Sequence, residues 1–253
     1  MAVKAEKPIL FSAPMVRAII EGRKTQTRRI CKPAMNEVGE WADAVYPDGS
    51  GKGWIAWWGK GPFSAEDTAR RYPGNEGFRA PYWPGLMLWV RETWGVGCRP
   101  DPRYGGIDGL EFRADADWLG DERDVLPLYP FKEYGGGFDP PDDFESDAYA
   151  GNGWRPSIFM PRWASRITLE VVSVRAERVQ EIGRDGRKAH DVLAEGITPK
   201  QIEHWAKWLH PDDAPAHTFG ELWNSINGKK PGLSWAANPW VWVYEFKVLE
   251  AKP

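Results

Sequence analysis

Residues 22–29, GRKTQTRR, concentrate the groups in this chain that could do chemistry. The segment carries four cations and two threonine hydroxyls. Guanidinium and ammonium groups bind phosphate or carboxylate. A lysine whose pKa is lowered by burial or by neighbouring cations can also take the proton of a hydroxyl. The segment therefore suits anion binding, or attack by Thr27 with Lys24 as the base. The plain alternative is a solvated surface turn.

A strand, a helix and a turn are expected to present this segment. Residues 8–11 form a short apolar run, and Ser12 and Pro14 are typical of a helix N-cap and first turn. Apolar residues then recur at helical spacing, and Gly22 suits the left-handed position that ends a helix. The pattern thus places Lys24 directly after a helix stop.

Other regular elements follow from periodicity. Alternation or apolar runs predict strands over 86–94, 166–179 and 239–250. Helical spacing predicts helices over 187–195, stopped by Gly196, and over 199–209. A third helix is expected to begin at Thr218 as its N-cap, with Phe219, Leu222, Trp223 and Ile226 on one face.

Two segments interrupt these elements, over residues 32–81 and 97–155. Both are rich in Gly, Pro and aromatic residues, and we expect them to be ordered insertions. Charge is uneven along the chain. Residues 1–32 hold eight Lys and Arg against two Glu, whereas residues 101–150 hold fourteen Asp and Glu against four Lys and Arg. With a net charge of −3, phosphate affinity should be local rather than general.

The remaining composition narrows the class of protein. Apolar runs are too short for a membrane span, and the N-terminus lacks a signal-peptide core, so a cytoplasmic protein is expected. Two cysteines, Cys31 and Cys98, cannot form a disulfide framework. The four histidines show no HExxH spacing, so neither a metal site nor a cofactor is expected.

The segment 22–29 resembles the signature of the ASCH family in the PUA-like superfamily. That signature has Gly, any residue, Lys, and Arg five positions later, matching Gly22, Lys24 and Arg29. Many members carry Glu where this chain has Thr27. The Lys and Thr are instead similar to the ASCH amidohydrolases that deacylate N4-acetylcytidine. The sequence around residues 7–29 and 155–171 also resembles ASCH proteins of bacteriophages and prophages, which would place the protein in a host cytoplasm.

The resemblance implies a fold and a catalytic set. The fold is α+β, a small PUA-like β-barrel with edge helices and two large loop insertions, in a single domain over residues 1–253. The catalytic residues would be Lys24, Thr27 and a distant acid, for which Glu195 fits by its position after the long strand. Glu195 could instead be a plain helix-end carboxylate, although the helix dipole disfavours that placement.

Further residues are candidates for ligand binding. Arg28 and Arg29 belong to the basic segment 22–29, and Ser12 precedes the predicted helix that leads into this segment. Arg91 and Glu92, at the end of a predicted strand, could hold phosphate and fix Lys24 or a base edge. Equally, Arg91 and Glu92 could form a strand-surface ion pair of little energetic weight.

The sequence therefore predicts a protein that handles a nucleoside or nucleic acid. An amidohydrolase acting on an N-acylated nucleoside such as N4-acetylcytidine is the leading hypothesis. The rivals are a non-enzymatic module that binds RNA or modified DNA, and a ribonuclease. The partner is a nucleoside, RNA or modified DNA rather than a membrane, and the oligomeric state is open.

Overall fold

The structure is a computed structural model of the 253-residue chain. It describes residues 5–34, 41–47, 53–57, 78–99, 107–114, 117–119, 132–134, 137–139, 154–183 and 188–251.

Twelve strands and four helices occupy these ranges. The strands are β1 (Glu6–Leu10), β2 (Gln26–Ile30), β3 (Ala44–Pro47), β4 (Trp54–Trp57), β5 (Met87–Arg91), β6 (Trp94–Arg99), β7 (Ile107–Phe112), β8 (Asp117–Leu119), β9 (Lys132–Tyr134), β10 (Gly137–Asp139), β11 (Ile167–Arg178) and β12 (Trp240–Ala251). The helices are α1 (Ala13–Ile20), α2 (Lys188–Ala194), α3 (Pro199–Ala206) and α4 (Ala214–Asn227), with short 3-10 turns at Lys32–Ala34, Ser157–Phe159, Arg162–Ala164 and Val179–Gly183.

The main sheet has five strands in the order β1-β5-β11-β12-β2. Strand β1 runs parallel to β5, whereas β12 is antiparallel to β2, so the sheet is mixed. The predicted α+β class is confirmed. Three smaller sheets pair β3 with β4, β9 with β10, and β6 with β7 and β8.

The described strands do not close into a barrel, so the structure does not confirm that part of the prediction. Strands β1 and β2 lie at opposite ends of the strand order. Beside the start of β2 lies the end of α2 rather than another strand. Lys24 forms an isolated bridge with Glu195, and Thr25 N donates to Ala194 O at 2.9 Å. The end of α2 thereby pairs with the backbone of Lys24 and Thr25, directly before β2.

The chain divides into two compact units. The first comprises Met1–Gly22, Met87–Leu169 and Val248–Pro253, and the second comprises Arg23–Leu86 and Glu170–Lys247. The prediction of a single domain is not tested by this division and stays a prediction.

In the second unit, one face of β12 meets the helices. Alternation directs Val241 and Val243 to the same face, where they pack with Val192 of α2 and with Phe219 and Trp223 of α4. All five side chains are buried. Burying a side chain of this kind stabilises the fold by roughly 1.5–3 kcal/mol, so this cluster holds α2 against the sheet.

In the first unit, Trp94 and Phe112 pack with Met160 and Ala164 in a second buried cluster. Trp94 lies edge-on to Trp163 at 5.8 Å between ring centroids. The cluster joins β6 and β7 to the 3-10 turns before β11.

Most predicted elements are present with small shifts of their ends. The long strand β11, the last strand β12 and the helices α1, α2 and α3 all occur where periodicity placed them. Gly22 and Gly196 adopt φ of 72° and 93°, the left-handed conformation expected after a helix. Strand 86–94 is divided into β5 and β6.

Thr218 as a helix N-cap is wrong. Helix α4 begins at Ala214, and Thr218 lies buried in its interior, where its hydroxyl donates to Ala214 O at 2.7 Å. A threonine whose hydroxyl donates to the carbonyl four residues earlier has its hydrogen bond within the helix, so it can occupy an interior position as well as an N-cap.

Much of the two predicted insertions, 32–81 and 97–155, lies outside the described residues, including most of the acidic stretch 101–150. Their described parts contain β3, β4 and β6 to β10. Among the described residues, no helix combines the length and the apolar character that crossing a bilayer requires.

Candidate functional site

Two glycine-terminated helices place Lys24 next to Glu195. Gly22 follows α1 and Gly196 follows α2, and each turns the chain sharply in the left-handed conformation. Arg23 Nη1 donates to the carbonyl of Gly196 at 2.6 Å. The two catalytic candidates, 171 positions apart, therefore meet as an isolated bridge.

The Lys24 side chain is fully buried and surrounded by oxygen. Its Nζ donates at 2.8 Å to Gln26 O, to Glu195 O and to Glu195 Oε2. An ammonium has three protons, so each of them finds an acceptor here. Burial lowers the pKa of Lys24 from 10.5, the Glu195 carboxylate opposes that shift, and the charges of Arg29 and Arg28 add to it.

Arg28 holds the other oxygen of the same carboxylate. Its Nη1 donates to Glu195 Oε1 at 3.0 Å and to Gln26 Oε1 at 2.7 Å. Because Lys24 holds Oε2, the Glu195 carboxylate is fixed between two cations. A carboxylate held in this way can orient Lys24 and counter its charge.

A wider set of ion pairs surrounds Arg28. Its Nη2 lies 2.7 Å from Glu177 Oε1 and 3.2 Å from Asp191 Oδ2. Arg175 contacts the same two acids, at 3.0 Å each, and its Nη1 lies 2.6 Å from Glu245 Oε1. We call this set the Lys24 network; it consists of Lys24, Gln26, Arg28, Arg175, Glu177, Asp191, Glu195 and Glu245.

Thr27 and Arg29 project from the face of β2 opposite the one that carries the Lys24 network. Side chains alternate along a strand, so Thr27 points away from the face that carries Gln26 and Arg28. Thr27 is buried and lies opposite Tyr244 in the pairing with β12, and Arg29 lies opposite Trp242. Burial lowers the pKa of Arg29, and Tyr82, Glu195 and Tyr244 oppose that shift, with Tyr82 the strongest of the three. The Arg29 guanidinium therefore interacts electrostatically both with the tyrosines on its own face of β2 and with Glu195.

Three predicted ligand contacts lie in the first unit. Glu92 is buried and paired with Arg166, with Nε to Oε1 at 3.0 Å and Nη2 to Oε2 at 3.2 Å. Arg91 stacks over Trp89 at 4.7 Å and its Nη1 donates to Ile158 O at 3.0 Å. Ser12 is exposed at the N-cap position of α1 without a side-chain capping bond. Their role as ligand contacts stays a prediction.

Sequence reasoning missed the acids and the arginine that complete the Lys24 network. Arg175 and Glu177 alternate on β11, and Asp191 lies one helical turn before Glu195. The spacing of Asp191 and Glu195 puts both on one helix face, and this was an available signal. Within the described ranges, no three His, Cys, Asp or Glu side chains are grouped so as to hold a metal ion.

Comparison of the chain with protein-family models, with curated proteins and with solved structures gave no match.

Proposed function

We propose that this chain is an amidohydrolase of the ASCH type, with a PUA-like arrangement of its sheet, that removes the acyl group from an N-acylated nucleoside such as N4-acetylcytidine. The contact of Lys24 Nζ with Glu195 Oε2 at 2.8 Å, inside a fully buried site, is the observation that carries the proposal. Both residues are those that the resemblance names.

Lys24 has the electrostatic setting that a base requires. A lysine acts as a base only when part of the population is neutral at working pH. Burial and the neighbouring arginines lower the pKa of Lys24, which favours the neutral amine. Glu195, held by Arg28, orients the amine and stabilises the ammonium that forms when Lys24 takes a proton.

Two chemical routes use these groups. In the first, Lys24 takes the proton of the Thr27 hydroxyl, Thr27 Oγ1 attacks the acyl carbon, and the amine leaves with the proton from Lys24. Water then hydrolyses the acyl ester of Thr27. In the second, Lys24 takes a proton from water, which attacks the acyl carbon directly; the C–N bond then breaks, the amine leaves with the proton from Lys24, and the acyl group is released as the carboxylic acid. The projection of Thr27 from the face of β2 opposite Gln26 and Arg28 favours the second route.

The test follows the release of cytidine from N4-acetylcytidine. Lys24→Ala should abolish release in both routes, with a loss of at least about a hundredfold, the lower range of general-base effects. Thr27→Ala should abolish it in the first route and leave it measurable in the second. Lys247→Ala is the matched control, because the Lys247 side chain is 59% exposed. Absence of release by the unchanged protein from a panel of acylated nucleosides would exclude the proposal.

A reader of RNA or modified DNA is the second candidate. The three oxygens around Lys24 Nζ satisfy the ammonium form, and a permanent ammonium favours binding over proton transfer. Oligonucleotide binding that weakens steeply with salt, without turnover of acylated nucleosides, would support this function. Shortened RNA that Lys24→Ala no longer produces would support the ribonuclease instead.

A further inference from the structure

Arg28 uses every one of its donors inside the Lys24 network. Its Nε and Nη2 donate to Glu177 Oε1 at 3.0 and 2.7 Å, and Nη2 also donates to Asp191 Oδ2 at 3.2 Å. Its Nη1 donates to Gln26 Oε1 at 2.7 Å and to Glu195 Oε1 at 3.0 Å. A guanidinium has five N–H groups, so each of them has an acceptor in this chain. While these contacts are kept, Arg28 has no donor left over for a ligand.

The packing around Arg28 holds its guanidinium in place. The side chain is 0% exposed, and the guanidinium carbon lies 5.7 Å from the centroid of the Phe219 ring of α4. The acids that pair with it come from two further elements, Glu177 from β11 and both Asp191 and Glu195 from α2. Contacts with β11, α2 and α4 therefore fix the end of a side chain that β2 carries.

The contact of Arg28 with Glu195 is the one that bears on Lys24. Lys24 Nζ donates to Oε2 of the Glu195 carboxylate at 2.8 Å, and Arg28 Nη1 donates to Oε1. With each oxygen bound to a different cation, the carboxylate cannot rotate without breaking a charge-assisted hydrogen bond. Arg28 thereby fixes the direction in which Glu195 meets the amine of Lys24.

Arg28 also affects how readily Lys24 gives up its proton. Burial lowers the pKa of Lys24 most, Glu195 raises it, and the charges of Arg29 and Arg28 lower it further. Because Arg28 pairs with Glu195, it also offsets part of the carboxylate charge that stabilises the ammonium. Loss of Arg28 should raise the pKa of Lys24 through both effects, and so leave less of the neutral amine.

We propose that Arg28 is a positioning residue of the candidate site, which sets the Glu195 carboxylate against Lys24 and makes no contact with the ligand. This role replaces the ligand binding that the place of Arg28 in the basic segment predicts. The inference rests on the proposed function, because it explains how the base of that reaction is held.

The outer members of the Lys24 network support this arrangement. Glu177 and Asp191 hold Arg28, and Arg175 pairs with both of these acids and with Glu245. Their charges face Arg28 rather than the amine of Lys24, whose hydrogen bonds go to Gln26 and Glu195. The charge of Arg28 should therefore influence Lys24 more than the charge of Arg175 does.

The first experiment measures the pKa of Lys24 in the full chain by NMR, from the chemical shifts of its Nζ and Cε nuclei against pH. The Lys24 signal is the one absent from Lys24→Met. Arg28→Gln removes the charge and keeps an amide donor, so it should raise the pKa of Lys24 by about 1 to 3, the effect of one charge at close range. Arg28→Lys keeps the charge with three donors in place of five, so the rise should be smaller. It provides the same test if Arg28→Gln does not fold.

Arg162→Gln is the matched control. Arg162 belongs to the first unit, its side chain is 43% exposed, and it pairs with Glu6. This change also removes one positive charge and one Arg–Glu pair, and it should leave the pKa of Lys24 unchanged because exposed charges are screened. A pKa of Lys24 that neither Arg28 variant raises would overturn the inference. An equal rise in Arg162→Gln would overturn it as well, because the response would then be to net charge.

Turnover distinguishes positioning from ligand binding. In the release of cytidine from N4-acetylcytidine, Arg28→Lys should lower kcat by at least about tenfold, because Glu195 loses its fixed direction, and should leave KM unchanged. A raised KM with an unchanged kcat would make Arg28 a ligand contact and refute the positioning role.

The two measurements also separate this inference from the proposed function. If the unchanged protein releases no cytidine, the hydrolase is refuted, and the NMR titration still decides the role of Arg28. Release of cytidine, with the same pKa of Lys24 in the unchanged protein and in the Arg28 variants, would keep the hydrolase and refute the positioning role.

Discussion

Each of the two units buries charged residues, but the units arrange their charges differently. In the first, Arg166 and Glu92 form one bidentate pair, both side chains 1% exposed, with Arg166 also over the ring of Phe112 at 4.1 Å. In the second, the Lys24 network shares three of its four acids between two cations: Glu195 between Lys24 and Arg28, and Glu177 and Asp191 between Arg28 and Arg175.

The difference bears on which unit can do proton chemistry. We call the bidentate pair of Arg166 and Glu92 the closed pair; loss of either partner removes both of these hydrogen bonds from a buried charge. In a shared network, a change of charge at one member is redistributed over several contacts. Lys24 can therefore change protonation state while Glu195 keeps Arg28 as a partner. We therefore expect loss of the closed pair to affect stability more than loss of one member of the shared network.

Breaking the closed pair should have the largest effect on stability. Glu92→Leu leaves the Arg166 guanidinium buried without its carboxylate and should destabilise the protein by about 3–5 kcal/mol. The double variant Glu92→Leu with Arg166→Met should recover most of that loss. Chemical denaturation with linear extrapolation measures both. A single variant as stable as the unchanged protein would mean that the pair is not closed in solution.

Removing one acid of the shared network should cost less. Glu177→Gln keeps Arg28 paired with Glu195 and Asp191, and keeps Arg175 paired with Asp191 and Glu245. We expect a loss of about 1.5–3 kcal/mol in unfolding free energy, typical of a hydrogen bond to a charged group. The same denaturation experiment measures it. A loss equal to that of Glu92→Leu would remove the distinction between the two arrangements.

The smallest expected effect is a dependence of the unfolding free energy on alkaline pH. Of the two arrangements, only the Lys24 network should show it. The pKa of Lys24 is below 10.5 in the folded protein, so between the two values the unfolded chain binds more protons. Stability contributed by this group should therefore rise with pH in that window and level off above 10.5. The stability difference between the unchanged protein and Lys24→Met should follow this sign.

Three other groups act in the opposite sense at high pH, which makes the subtraction necessary. Burial raises the pKa of the Cys31 thiol to about 12, and it also raises the pKa values of Tyr82 and Tyr244. All three therefore favour the unfolded chain as pH rises above their ordinary values. They are present in the unchanged protein and in Lys24→Met alike, so they cancel. A difference that falls with pH between about 8 and 10 would contradict the lowered pKa of Lys24.

Elements with a strong internal period could be predicted from the sequence. The alternation along β11 and β12 follows from the pleat of a strand, which directs successive side chains to opposite faces. The helix stops at Gly22 and Gly196 follow from the missing Cβ, which lets glycine adopt a positive φ. Thr218 was misread because a threonine before an apolar helical pattern has the same sequence signature as an N-cap. Only the start of the helix at Ala214 separates the two cases.

The candidate site was predicted unequally. The pair of Lys24 and Glu195 came from a family resemblance, and no spacing in the chain could have set residues 171 apart side by side. Arg175, Glu177 and Asp191 were missed because charged residues on a strand and a helix are ordinarily solvated surface. These residues pair with one another because other segments of the chain cover them and partly exclude water, and the sequence does not show which segments do so.

By itself, the sequence determined local geometry: where helices stop, which strand residues share a face, and that a basic segment follows the first helix. Tertiary structure decided which partners those residues meet. It set Glu195 between Lys24 and Arg28, left the five-stranded main sheet open, and placed Tyr244 and Trp242 on the face of Thr27. Local geometry follows from steric limits within a few residues, whereas charge pairing and burial depend on contacts between distant segments.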